Sequence, residues 1–377
     1  MEGSGHELPG EFPRTMRILF SYRMLSIAIG TAVLLPFVAL AFASVHSNYA
    51  TRYGFRKIAC WTTRLDMEIS TITHRNVPEL LRILRAAGPH GHREWPLTDL
   101  ATLTATLDNP RLDPDQNRWA IAHENGSPLG YSLVEPEFNI GRILVGLATV
   151  EGRNDVLGSL LQDGVSRATQ LSNLDRFEIH VAVRDTESGL VVDALESAGF
   201  GVVRTVLKMR VDVSEVELPE SPTPPEFTVR DADMLDAAEA TAVTDLHNAC
   251  FIGSWGFSPN TVEEIIGRAA VNADRNGFAP IVVLSDASDG TLVGYNWITL
   301  SDGDGRVEMV GVGPRMRGRR LGWTIFNAGV EKLIAHGATT LVLDVDSENP
   351  PARRIYESAG YRTYSEVRYY GLDVVKS

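Results

Sequence analysis

The segment Val307–Gly322, VEMVGVGPRMRGRRLG, holds the residues of this chain whose types and spacing could do chemistry. It reads as an apolar strand, a turn at Pro314, an Arg/Gly loop and the start of a helix. A strand that feeds a glycine-containing loop at a helix N-terminus makes an anion cradle, because backbone N–H groups converge there and the helix dipole favours negative charge. Four of the six residues from 315 to 320 are arginines, in a chain of net charge -13. Positive charge gathered in one loop of an acidic protein points to a specific anionic ligand. Within the strand, Glu308 interrupts an apolar run, where a carboxylate is costly unless it has a partner or a task. Near apolar side chains its pKa would be raised, which suits accepting a proton directly or through water. The structural alternative is an outward-facing glutamate on an exposed strand end. Bulges are common beside active sites, so alternation alone does not fix its face.

The elements that must position these residues follow from the pattern of the C-terminal part. Strands are expected at 227–230, 281–285, 292–300, 307–312, 340–345 and 366–374, with Asp289-Gly290 as a turn between the second and third. Helices are expected at 237–249, at 261–273 with Thr261 and Glu264 as a capping pair, at 321–335, and at 350–359 closed by Gly360. The helix 321–335 places Trp323, Phe326, Val330 and Leu333 on one face. This is an α/β fold with a mixed sheet.

A chain of 377 residues should form two domains, and 44% hydrophobic with 22% charged residues is ordinary for a globular protein. The acidic balance argues against nucleic acid as a partner. Cys60 and Cys250 make no disulfide framework and read as inert thiols. The histidines show no metal-ligand spacing, His90 and His92 lying in a Gly/Pro stretch, so no metal is expected. Residues 1–66 form an extension whose segment 24–45 is apolar. Its length suits a membrane span or a signal peptide ending at Ala41-Phe42-Ala43. An over-extended translation start is a third reading, since Met67 begins a segment that looks like the clean start of a domain.

A Pro-rich linker, residues 216–226, divides the rest, and both sides carry one pattern. Gly130-Tyr131 matches Gly294-Tyr295, Gly141-Arg142 matches Gly305-Arg306, and Gly158 matches Gly322, all 164 positions apart. Glu196–Phe200 matches Glu357–Tyr361 at 161 positions. An internal repeat this long implies two copies of one fold, at 67–215 and 227–377.

The C-terminal copy resembles the GCN5-related N-acetyltransferase (GNAT) superfamily. The family's loop, V-x-P-x-x-R-G-x-G-x-G, stands here as Val312, Pro314, Arg317, Gly318, Arg320 and Gly322. Arg320 replaces the middle glycine, which a loop tolerates where the backbone does not need positive φ. The second motif is complete as Asn349, Ala352, Tyr356, Glu357, Gly360 and Tyr361. The tandem arrangement is similar to mycothiol synthase and its relatives, which acetylate the cysteine amine of a sugar-linked thiol.

The resemblance implies two tandem acyl-CoA N-acyltransferase domains and acetyl-CoA as cosubstrate, with a small-molecule amine as acceptor. It implies Tyr356 as the acid for the leaving thiolate and Glu308 as the base for the amine. Val310 and Val312, flanking Gly311, would pair with the pantetheine amides. The N–H groups of Arg317, Gly318, Arg319, Arg320, Leu321 and Gly322 would hold the diphosphate, aided by the arginines. Asn349 would bond cofactor or loop, with helix capping as the structural alternative. Asn248, Phe251 and Trp255 fall in a segment similar to the acceptor side of tandem acetyltransferases. The N-terminal copy has Leu195 for Tyr356, Asn154 for Gly318 and Val150 for Pro314, and reads as non-catalytic. An enzyme using acetyl-CoA is expected in the cytoplasm, with attachment to a membrane through residues 24–45 if that segment is an anchor. Acetylation of peptide or protein amines, and a non-catalytic acyl-CoA sensor, are the competing readings.

Overall fold

The computed structural model describes residues 67–87, 100–108, 112–185, 189–273 and 278–376. The extension 1–66, Cys60, His90 and His92 lie outside them. No helix among the described residues is long and apolar enough to cross a membrane.

The N-terminal half runs β1 (Met67–Thr71), α1 (Val77–Ala87), α2 (Leu100–Leu107), β2 (Trp119–Glu124), β3 (Ser127–Glu137), β4 (Arg142–Thr149), α3 (Leu157–Leu171), β5 (Arg176–Arg184), α4 (Gly189–Ser197) and β6 (Gly201–Asp212). The C-terminal half repeats this order. It runs β7 (Phe227–Asp231), α5 (Ala237–Phe251), α6 (Val262–Ala273), β8 (Ile281–Asp286), β9 (Leu292–Ser301), β10 (Asp304–Val312), α7 (Leu321–Ala335), β11 (Thr340–Asp346), α8 (Pro350–Ser358) and β12 (Arg362–Val375). Local chemistry sets several of these boundaries. Thr261 and Glu264 form the expected capping box, each side chain taking the other's backbone N–H at 3.2 and 2.9 Å. Gly290 turns between β8 and β9 at φ 78.

All strands join one twelve-stranded sheet in the order β1-β2-β3-β4-β5-β12-β6-β11-β10-β9-β8-β7. The last strand of each half lies between two strands of the other half. β6 pairs with β11 and β12, and β12 pairs with β5 and β6, all antiparallel. The tandem domains expected from sequence therefore share a single mixed sheet. The apolar core of the C-terminal half correspondingly takes in Leu207, Met209 and Val211 from β6, packed with Phe326, Leu341, Leu343 and Tyr356. The linker is anchored along α7: Asn327 Nδ2 donates to Pro219 O at 2.8 Å, and the hydroxyls of Ser221 and Thr324 lie 3.0 Å apart.

Each half has one parallel contact that ends early. β10 pairs with β11 from Asp304↔Thr340 to Val307↔Leu343, and β4 pairs with β5 only over Arg142–Leu144. Beyond Val307, β10 keeps β9 on one side while β11 keeps β6. The two strands thus part at residue 307 and leave one edge of β10 open.

Candidate active site

The open edge of β10 carries Glu308, Val310, Gly311 and Val312. A β-bulge between Val307 and Met309 takes Glu308 out of the ladder with β9. Its carboxylate meets Thr299, whose Oγ1 donates to it at 2.9 Å, and Arg306, whose Nε lies 3.4 Å away. The surroundings of Glu308 are therefore polar and partly exposed, not apolar as the strand pattern suggests. Arg306 also pairs with Asp344 at 2.7 Å, and Asp344 with Lys208 at 3.4 Å. A line of alternating charge so runs from Glu308 across β11 to β6.

Past Val312 the chain turns through Pro314–Met316 and Arg317–Arg320 into α7. Gly318 has φ 80 and Arg320 φ 62. The condition on which the loop would tolerate a side chain at 320 is not met: an arginine holds the left-handed conformation that glycine adopts without a Cβ clash. The arginines divide by role. Arg317 donates from Nη2 to Cys250 O at 2.8 Å, tying the loop to the end of α5. Arg319 turns away to Glu226 at 3.1 Å and lies over Phe227. Arg315 and Arg320 are exposed and make no ion pair among the described residues. The N-terminus of α7, including Leu321 and Gly322, has no side-chain cap at Arg320, so backbone N–H groups there remain for an anion.

Tyr356 projects from α8 into the apolar cluster that includes Val310 and Val312. It is 7% exposed, with Phe326 at 5.4 Å and Tyr361 at 6.2 Å between ring centroids. Burial pushes its phenol up to about 12, so the proton stays on oxygen at neutral pH. Asn349 caps α8, its Oδ1 accepting the Ala352 N–H at 3.3 Å, so the structural alternative weighed from sequence is the one its carbonyl serves.

On the other side of the sheet, α5 and the segment that follows it hold the three acceptor candidates. Asn248 and Asn260 close the segment by two bonds of 2.9 Å, Asn248 Nδ2 to Asn260 O and Asn260 N to Asn248 Oδ1. The Asn248 amide therefore shapes this segment. Phe251 packs on His247 and Phe257. Trp255 reaches the N-terminal half, where a cavity of about 510 Å3 lies between the two halves, lined among others by Arg142, Phe177, His180, Trp255, Phe257 and Asp373.

Several residues here carried no functional signal in the sequence. Arg142 and Tyr295 register there as repeat markers. Tyr295 is fully buried beneath Gly311, where a Cβ would meet its ring at 3.2 Å, and its hydroxyl lies 2.6 Å from His247 Nδ1. Asn260 Nδ2 meets His247 Nε2 at 3.0 Å. Burial lowers the His247 pKa to about 4, leaving the imidazole neutral. Cys250 also lies under Gly311, and burial raises its thiol to about 11, consistent with an inert role. Elsewhere His74, Asp113 and Asp115 come together across the chain, which spacing does not reveal. Hydrogen bonds within the group, such as His74 Nδ1 to Asp115 at 3.1 Å, account for it.

A bulged strand that parts from its parallel neighbour, a glycine/arginine turn at a helix N-terminus and a buried phenol define a tandem acyltransferase of the GNAT type. Residues 240–361 match the model of the acetyltransferase (GNAT) family. The chain is 32% identical over 289 residues to the mycothiol acetyltransferase of Thermobispora bispora, covering 71% of this chain and 91% of that protein. It is 27% identical over 301 residues to that of Thermomonospora curvata, covering 78% and 93%. Its fold is similar to that of a tandem GNAT protein from the clavulanic acid biosynthesis pathway, with a TM-score of 0.61 at 14% identity, over 83% of this chain and 100% of that one. The chain belongs to the GNAT acetyltransferases, in the tandem group of the mycothiol acetyltransferases. It is an acyltransferase whose activity is acetyl transfer to an amine of a small molecule.

Proposed function

We propose that this protein acetylates the cysteine amine of mycothiol's unacetylated precursor, with residues 227–377 as the catalytic copy and 67–215 as a non-catalytic one joined by 216–226. The relatives from Thermobispora and Thermomonospora, named for mycothiol and matched over nine-tenths of their length, support this acceptor. The observation that carries the reading is the parting of β10 from β11 at Val307. It leaves the amides of 308–312 open on the side of Tyr356's cluster and puts Glu308 in a bulge at the fork.

Bound there, acetyl-CoA supplies an activated thioester. The open edge at Val310–Val312 suits the amides of its arm, as an added strand would. The N–H groups of 317–322, with the exposed Arg320, suit its diphosphate. Glu308 accepts the proton lost by the attacking amine, directly or through water, while Arg306 and Thr299 hold the carboxylate in place. The phenol of Tyr356 gives its proton to the sulfur as the carbon–sulfur bond breaks. One proton is taken and one given, so no net charge builds up. No metal enters this scheme. The cavity of about 510 Å3 between the copies is of a size that suits a small acceptor. We place the reaction in the cytoplasm, where acetyl-CoA is formed.

The test is a thioester assay, read by loss of its ultraviolet absorbance, with the unacetylated precursor as acceptor. Tyr356→Phe should lower kcat by about 100-fold or more, with acetyl-CoA affinity by calorimetry unchanged. Unchanged turnover in that variant would remove Tyr356 from the chemistry. Absence of turnover in the wild type, with acetyl-CoA bound, would favour the sensor reading.

A further inference from the structure

Trp255, at the tip of the segment 252–259, is boxed in by three side chains of the opposite copy and by Tyr369 of its own. The guanidinium carbon of Arg142 lies 5.0 Å from the indole centroid and that of Arg204 5.5 Å. The His180 ring stacks on it at 5.6 Å and 8°, and Tyr369 meets it edge-on at 4.9 Å. Arg142, 8% exposed, does more than stack. Its Nη2 donates to Gly256 O at 3.0 Å, while its Nε is held by Glu137 at 2.5 Å. Gly256 has φ 69, and a Cβ there would lie 2.5 Å from Arg142 Nη1. Three separate features thus converge on one guanidinium: an aromatic face, a carbonyl, and a glycine without which the guanidinium would not fit.

The segment has two anchor points. Its base is closed within the catalytic copy by the Asn248–Asn260 pair, and the adjoining end of α5 is tied to the cofactor loop by Arg317. Its tip is held across the copy boundary by Arg142. Between these points it forms one wall of the 510 Å3 cavity, whose other wall is the N-terminal copy with Asp373 of β12 beside it. We infer that Arg142 is a positioning residue for acceptor recognition: from the copy that lacks the chemistry, it fixes the acceptor-side wall of the catalytic copy. This rests on the reading that the acceptor enters between the copies. A buried cation on an indole and a charge-assisted bond to a carbonyl are each strong enough to hold a loop tip. Loss of such a fixed wall weakens orientation of the acceptor and leaves the anion cradle, anchored separately by Arg317, as it was.

The variants are Arg142→Ala, Arg142→Lys and Gly256→Ala, the last to be read if the first does not fold. Two measurements are made on the full chain: hydrogen exchange of backbone amides, and KM for each substrate with the unacetylated precursor as probe. Arg142→Ala should speed exchange of residues 252–258 and leave 317–322 unchanged. It should raise the acceptor KM by about tenfold with the acetyl-CoA KM held within about twofold. Gly256→Ala should do the same, and Arg142→Lys, which keeps charge but not the planar fork, should fall between. Millimolar guanidinium should partly restore Arg142→Ala and not Gly256→Ala. Unchanged exchange at 252–258 overturns the inference, as does a parallel rise of both KM values. The exchange readout needs no acceptor, so a wild type that fails to acetylate the probe defeats the proposed function while the clamp is still judged on its own.

Discussion

The two copies place different side chains on the same backbone plan, and the difference shows what makes one of them a site. Where the C-terminal copy has Tyr356, the N-terminal one has Leu195, fully buried; where it has Glu308, the N-terminal one has Leu144, 7% exposed. β10 carries a bulge at Glu308, whereas β4 pairs with β3 without a register shift from Thr149 to Arg142. Before α7 the chain turns through Gly318 and a left-handed Arg320. Before α3 the matching position, Val156, sits at φ -95 and packs with Ala122, Leu129 and Leu160. The N-terminal copy has kept the parting strands, filled the places of acid and base with leucines, and put Asn154, Asp155 and the buried Val156 where the cradle has Gly318, Arg319 and Arg320. That raises its core content at the expense of donors. On the proposed function, the catalytic capacity of the C-terminal copy rests on a few side chains and one bulge, while the fold is common to both.

The sheet limits how far the copies can be treated separately. β6 lies between β11 and β12, and Leu207, Met209 and Val211 fill the C-terminal core. Full burial of three such side chains contributes on the order of 6 kcal/mol, comparable to the whole stability of a domain. A chain lacking residues 1–226 should therefore show no cooperative melting transition by circular dichroism and no turnover. A cooperative melt with full turnover would break the comparison, since the C-terminal copy would then stand alone.

A smaller effect comes from the two histidines buried among the described residues, one in each copy. His247 bridges Tyr295 and Asn260, and its pKa is lowered to about 4 by burial, with Arg268 adding repulsion. His180 is shifted in the same direction by burial, opposed by Glu178, and its Nδ1 has no hydrogen-bond partner. A histidine with a depressed folded pKa refuses a proton that the unfolded chain accepts near 6.5. Its stabilising effect is complete above that value and is lost as pH falls towards 4. For His247 the loss should be roughly 2 kcal/mol between about pH 7 and pH 5. Denaturant midpoints across this range should show it. His247→Phe should flatten the slope by that amount while lowering stability at pH 7, because the Tyr295 hydroxyl loses its partner. An unchanged slope would mean the acid limb belongs to the other copy.

Sequence reasoning reached the parts of this structure that are set locally. The Thr261–Glu264 cap, the Asp289-Gly290 turn, the helix 321–335 and the order of strands around the cradle all follow from near neighbours. The strand exchange does not, because β6 and β11 are equally plausible edges until a partner distant in the chain is chosen. The clamp on Trp255 is hidden for the same reason, joining residues 113 positions apart. The bulge shifts the alternation beyond Glu308, so Val310 and Val312 join the cluster of Val307 while Glu308 stays beside Arg306 and Thr299. His247 reads from sequence as one more helix residue, and nothing near it in the chain announces Tyr295.

The smallest expected effect is also the sharpest on the cradle itself. An arginine in the left-handed region costs about 1–2 kcal/mol, and glycine in its place costs about 0.5–1 in unfolded-state entropy. Arg320→Gly should thus leave stability unchanged or raise it by up to about 1 kcal/mol, read from denaturant midpoints. The side chain makes no cap bond to α7 and no ion pair among the described residues, so the substitution removes no internal contact of that kind. If its exposed guanidinium serves the diphosphate, the same variant should weaken acetyl-CoA binding about three- to tenfold, through loss of one charge-assisted contact. Opposite signs for stability and affinity in one variant would mark strain kept for a ligand. A loss of stability would show that the arginine was retained for the fold. In the N-terminal copy the corresponding change has no strain to relieve, because Val156 already lies in the right-handed region with its side chain buried.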